Sequence, residues 1–76
     1  MKIKHSLKSF GRNVAALREA QGMIQEELAA AINKRHTISR GYLAQLETGT
    51  YKKDPKLSLA VAIAEALGVG IGELLK

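Results

Sequence analysis

An all-helical domain is the fold class the sequence predicts, and three observations point there. Alanine and leucine lead the composition, and both enter a helix at little cost. Proline occurs once in 76 residues, so little interrupts a helical backbone. Apolar residues recur in steps of three and four, and no stretch alternates apolar with polar residues as a half-buried strand would. A chain of this length has room for one core, so residues 1–76 read as a single domain, with residues 1–6 as a flexible basic N-terminal segment.

The first helix is expected to begin near Ser6 or Ser9 as cap. It places Leu7, Phe10, Val14, Leu17 and Gln21 on one face and stops at Gly22. A second helix spans Gln25 to about Ile32. Glu26 and Glu27 suit the positive end of its dipole, Leu28, Ala29 and Ile32 face inward, and Asn33 closes it. The basic turn from Asn33 to Thr37 precedes a third helix from Ser39, its cap, to Thr48, ended by Gly49, with Ile38, Leu43 and Leu46 buried. After a polar, basic loop from Thr50 to Lys56, a fourth helix from Leu57 to Leu67 buries Leu59, Ala60, Ile63, Ala64 and Leu67 before Gly68. A short fifth helix, Ile71 to Leu75, ends the chain.

Twelve basic against seven acidic side chains leave a net charge of +5, which suits a polyanionic partner and also a merely soluble surface. Its distribution is more informative. The positive charge is concentrated in residues 1–18 and 34–56, while 19–33 and 57–76 are net acidic. With no cysteine, neither a disulfide framework nor a thiolate zinc site holds the chain together, and a reducing cytoplasm is compatible. Apolar runs such as Leu59 to Ala64 fall far short of the ~20 residues of a membrane span, so no membrane association is expected.

Three strings carry a resemblance. They are Gln25-Glu26-Glu27-Leu28-Ala29, then Ser39-Arg40-Gly41-Tyr42-Leu43-Ala44-Gln45-Leu46-Glu47-Thr48-Gly49, then Ala64-Glu65-Ala66-Leu67-Gly68-Val69. In this order, from about Leu7 to Leu75, the chain resembles the phage repressor and Cro (XRE) family of helix-turn-helix regulators, whose phage members are a standard example of helix-turn-helix docking. The resemblance implies a compact five-helix bundle whose third helix lies in the major groove of double-stranded DNA. The function implied is a sequence-specific transcriptional regulator, a repressor by preference, in the cytoplasm and associated with the nucleoid when bound to DNA.

On that template the residues at the start of the third helix meet base edges: Arg40, Gly41, Ala44 and Gln45. Arg40 is suited to paired hydrogen bonds with guanine and Gln45 with adenine, while Gly41 and Ala44 permit close approach. Gln25 matches a family position that grips phosphate at a helix N-terminus. Lys34, Arg35, Ser39, Tyr42, Thr48, Thr50, Tyr51, Lys52 and Lys53 flank the groove as phosphate contacts. For each of these the plainer reading is a solvated surface. Arg18 and Glu47 match a structural ion pair joining the first helix to the third, the plainer reading being two independent surface charges. The chain departs from the family in lacking a hydroxyl cap at Ile24, in having Gly70 before the last helix, and in a longer turn between helices two and three and a longer loop after helix three.

A pseudopalindromic operator and a homodimer, at least on DNA, follow from how little one reading helix can specify. The segment from Val69 to Leu75 is the expected dimer surface; alternatively Ile71 and Leu74 only close the monomer core. Catalysis is not expected. His5 and His36 lie far apart without an acidic cluster, so no metal site, cofactor or catalytic residue is assigned. The rival function is a protein-interaction module or antitoxin built on the same fold.

Overall fold

The structure is a computed structural model that describes residues 4–50 and 55–76, with side chains described from Ser9 onward outside the gap. Five helices follow one another: α1 Lys4–Ala20, α2 Gln25–Asn33, α3 Arg40–Thr48, α4 Leu57–Leu67 and α5 Ile71–Leu74. Among the described residues there is no strand. The expected all-helical five-helix bundle is what the chain forms, with a helix-turn-helix made by α2 and α3.

Glycine stops three of the helices by one mechanism. Gly22, Gly49 and Gly68 adopt φ near 72°, 74° and 71°, the left-handed region in which a side chain is strained. Each reverses the backbone so that two N–H groups return to the helix end. After α3, Gly49 N–H reaches Leu46 O at 3.2 Å and Thr50 N–H reaches Gln45 O at 3.1 Å. Helix starts are less uniform. Ser39 Oγ accepts the Tyr42 N–H at 3.0 Å and caps α3. At α2 the apolar Ile24 has no oxygen to offer, and only the acidic half of a capping box forms, with Glu27 Oε1 accepting the Ile24 N–H at 2.9 Å. Helix α1 begins at Lys4, ahead of both serines expected to cap it.

Each helix turns one apolar stripe inward. Phe10 and Val14 from α1, Leu28 and Ile32 from α2, Leu43 from α3, Ile63 from α4 and Leu74 from α5 are all at most 2 % exposed. Burying each such side chain contributes ~1.5–3 kcal/mol. Helix α1 packs on α3, α4 and α5, and α2 packs on α3 and α4, so α3 is held between α1 and α2 with its remaining side outward. Of the expected α1 face, Phe10 and Val14 are buried and Leu17 is half-buried, while the side chain of Leu7 lies outside the described residues. Gln21, expected to continue this face, is exposed, and its amide instead donates to Leu67 O at 2.7 Å, tying the ends of α1 and α4 together.

Candidate nucleic-acid interface

The outward side of α3 is a strip of five residues. With Leu43 and Leu46 buried, helical spacing brings Arg40, Gly41, Gln45 and Thr48 to the surface, with Ala44 half-buried between them. Arg40 and Gly41 occupy the first turn, and Gln45 follows one turn later. Neither Arg40 nor Gln45 has a side-chain hydrogen bond or ion pair among the described residues. Nothing near Gly41 crowds the helix, the closest outside atom being Ser39 Oγ at 4.0 Å from where a Cβ would stand. With its side chains a helix is about 10–12 Å across, which suits a groove ~12 Å wide.

The electrostatics of this strip follow from one acidic residue. Glu47 is the only carboxylate in α3, and its side chain is 4 % exposed. Arg18 from α1 takes it in a two-point pair, Nε to Oε2 at 2.8 Å and Nη2 to Oε1 at 3.1 Å. The remaining Arg18 nitrogen, Nη1, donates to Met23 O at 2.7 Å, binding the turn between α1 and α2 into the same cluster. The Arg18 guanidinium is held above its ordinary value, first by the hydrogen bonds to Glu47, with burial working against it and the charges of Glu47 and Glu19 adding to the rise. With Glu47 neutralised internally, the exposed strip of α3 carries the positive charge of Arg40 and no negative one.

The residues expected to flank the groove are placed differently from one another. Gln25 is the first residue of α2, half-buried, and its Nε2 donates to Glu47 Oε1 at 3.0 Å. Lys34 is exposed just beyond α2, whereas Arg35 is directed to α4, where Nε meets Glu65 Oε1 at 3.2 Å. Ser39 is used as the α3 cap, and Tyr42 is half-buried against the core. At the far end, Thr48 Oγ1 donates to Ala44 O and Gln45 O, both at 3.1 Å, and lies 3.0 Å from Thr50 Oγ1. Tyr51, Lys52 and Lys53 lie outside the described residues.

Two structural contributors were not anticipated from the sequence. Asn33, expected only to end α2, is its last residue and clasps the following turn. Its Nδ2 donates to Ala29 O at 2.8 Å and Ile38 O at 2.7 Å, while its Oδ1 accepts the Ile38 N–H at 3.0 Å. The long turn before α3 is thus a built element. Gly11 is the other, since its backbone lies directly against the carbonyl of Leu46 in α3. Neither carries an apolar side chain, and a search by hydrophobic spacing passes over both.

Residues 14–74 match the family model described as Helix-turn-helix. The chain belongs to this helix-turn-helix family, of the XRE type. A relative in Sinorhizobium fredii (strain NBRC 101917 / NGR234), named uncharacterized HTH-type transcriptional regulator y4dJ, is 39% identical over 67 residues, which cover 88% of this chain and 79% of that protein. No solved structure matches the chain.

Proposed function

We propose that this helix-turn-helix domain is a transcription regulator that binds double-stranded DNA in a sequence-specific manner, acting as a repressor from the cytoplasm. Helix α3 reads the major groove with Arg40 and Gln45, and Gly41 and Ala44 let the backbone come close. The observation that carries this reading is the α3 strip itself, exposed at Arg40, Gly41, Gln45 and Thr48, with an uncommitted arginine in its first turn and its one acid withdrawn into the Arg18 pair. Gln25 at the start of α2, Ser39, Tyr42, Thr48 and Thr50 on α3 and at its two ends, and Lys34, Arg35, Tyr51, Lys52 and Lys53 supply the phosphate contacts, Arg35 by exchanging Glu65 for phosphate. Such contacts set register and most of the affinity without reading sequence. The HTH-type transcriptional regulator of Sinorhizobium fredii supports the same reading.

The test is a selection from random duplexes at fixed salt, repeated with Arg40→Ala and Gln45→Ala. The wild type is expected to yield a consensus, and each variant to lose ~1–3 kcal/mol of preference at one or two base positions while keeping its affinity for scrambled DNA. Equal losses on selected and scrambled duplexes would remove the base-reading assignment. A protein-docking role has one observation in its favour, the exposure of Leu57 (73 %) and Val61 (40 %) one turn apart on α4. Its mark would be an absence of any consensus from the selection.

A further inference from the structure

Gln25 opens α2, where the backbone N–H groups of Gln25 and Glu26 have no acceptor among the described residues, the usual state of a helix start. Its side chain, in contrast, is committed. Nε2 donates to Glu47 Oε1, the oxygen that also takes Arg18 Nη2, and the second Glu47 oxygen takes Arg18 Nε. A glutamine amide by itself presents either its oxygen or its nitrogen to an approaching anion, and the oxygen repels. An ionised carboxylate only accepts hydrogen bonds, so Glu47 selects the nitrogen and fixes the plane of the amide. One N–H is then directed to Glu47, and the second diverges from it in the same plane on a half-buried residue. With the Glu47 side chain 4 % exposed, little water competes for this bond.

We propose that Glu47 is a positioning residue for the DNA backbone: it orients the Gln25 amide so that the second Nε2–H is presented to a duplex phosphate, and Arg18 holds Glu47 in place to do so. The inference rests on the DNA-binding reading above and adds to it a physical link between the two halves of the motif. The carboxylate belongs to α3 and the amide to α2, so the phosphate grip and the reading helix share one buried group and keep a fixed register. Arg18 is then more than a fastening between α1 and α3. It occupies both Glu47 oxygens, Nε on Oε2 and Nη2 on Oε1, and so fixes the plane of the carboxylate on which the Gln25 amide is held.

Nuclear magnetic resonance of the Gln25 side-chain amide tests this in the wild-type protein, first free and then with a scrambled duplex added. The free protein should protect one Nε2 proton from exchange with water, and the duplex should shift the amide signals. In parallel, Gln25→Ala and Glu47→Asp are titrated with the same duplex, their folding being checked by thermal melting. Each should bind about ten- to a hundredfold more weakly than wild type, as expected for one lost hydrogen bond to a charged group. The double variant should bind no more weakly than the weaker single one. Losses that multiply, or a Gln25 amide indifferent to a duplex that the wild type binds, would overturn the positioning role and leave DNA binding intact. A protected amide in a protein that binds no duplex would overturn the DNA-binding reading, and the proposal with it. If Glu47→Asp does not fold, the wild-type amide signals decide the matter alone.

Discussion

At Gly11 the backbones of α1 and α3 approach so closely that no other residue fits. A Cβ there would stand 1.8 Å from Leu46 O and 2.9 Å from the Leu46 carbonyl carbon, and backbone atoms cannot rotate out of the way. Gly11→Ala must therefore push the two helices apart, at a cost of ~3 kcal/mol or more, the upper range for overpacking. Urea denaturation measures it, and a loss under 1 kcal/mol would show that α1 can slide without penalty. Gly41 is the counter-example on α3. A Cβ there meets only Ser39 Oγ, at an ordinary contact distance of 4.0 Å, so Gly41→Ala should stabilise the fold by up to about 1 kcal/mol, while weakening binding wherever the DNA needs close approach. Arg18 completes the residue scale. Arg18→Met leaves Glu47 buried with the Gln25 amide but without its cationic partner, at a cost of ~3–5 kcal/mol, enough to unfold a marginal domain. Because the Arg18 value is raised in the fold, its contribution is complete at every pH below the ordinary arginine value and is lost only as pH rises through the higher folded one. Stability across neutral and moderately alkaline pH should accordingly show no step attributable to Arg18.

Among the elements, the long turn between α2 and α3 decides how firmly α3 is aimed. Its residues would be loose if only the flanking helices held them, but Asn33 satisfies both backbone groups of the buried Ile38. Asn33→Ala should cost ~1–3 kcal/mol, the range for buried polar groups left unsatisfied, and should speed hydrogen exchange at Ile38 more than in α4. Uniform acceleration everywhere would mean that the clasp is not local. The Arg35–Glu65 pair has the opposite character. Its side chains are 48 % and 55 % exposed, so Glu65→Gln should change stability by well under 1 kcal/mol. It should instead release Arg35 toward phosphate and raise affinity for any duplex. Beyond α3 in sequence, Lys52→Ala or Lys53→Ala should weaken selected and scrambled duplexes alike and flatten the log affinity against log salt by up to about one unit for each phosphate no longer neutralised. An unchanged slope would separate these two lysines from the DNA. The helices were legible where chemistry marks their ends: Ser39, Gly49 and Gly68 bound α3 and α4 as the sequence suggests. The start of α1 was not, because no capping residue marks Lys4. Arg18 and Glu47 were legible through resemblance, whereas the bonds from Gln25 to Glu47, from Asn33 to Ile38 and from Asn13 to the C-terminus join positions that only tertiary packing brings together.

For the molecule as a whole the remaining question is whether it works alone. Three or four side chains at the start of one helix read too few base pairs to stand out against a genome, and pairing two copies doubles the number of bases read. The C-terminal segment is only partly available for this. Leu74 is fully buried and Ile71 packs against the core, while Asn13 Nδ2 donates to Leu74 O at 3.0 Å and Lys76 O at 3.4 Å, fastening the segment to α1. Those bonds close the monomer. What they leave outward is Leu75, 42 % exposed, a small patch that suits association assisted by DNA better than a stable dimer in free solution. The expected outcome is one chain per molecule by sedimentation without DNA and two chains on a duplex carrying related half-sites. Their centres should lie about 10 base pairs apart or a multiple of this, so that two reading helices ~34 Å apart meet the same face of the DNA. Leu75→Glu should leave urea stability within about 0.5 kcal/mol of wild type, as an exposed position allows, and should abolish the second binding event. Moving one half-site by about five base pairs, half a helical turn, turns it to the opposite face and should have the same effect as Leu75→Glu. Two chains that bind with equal affinity at either spacing, and regardless of Leu75, would instead be independent monomers on neighbouring sites.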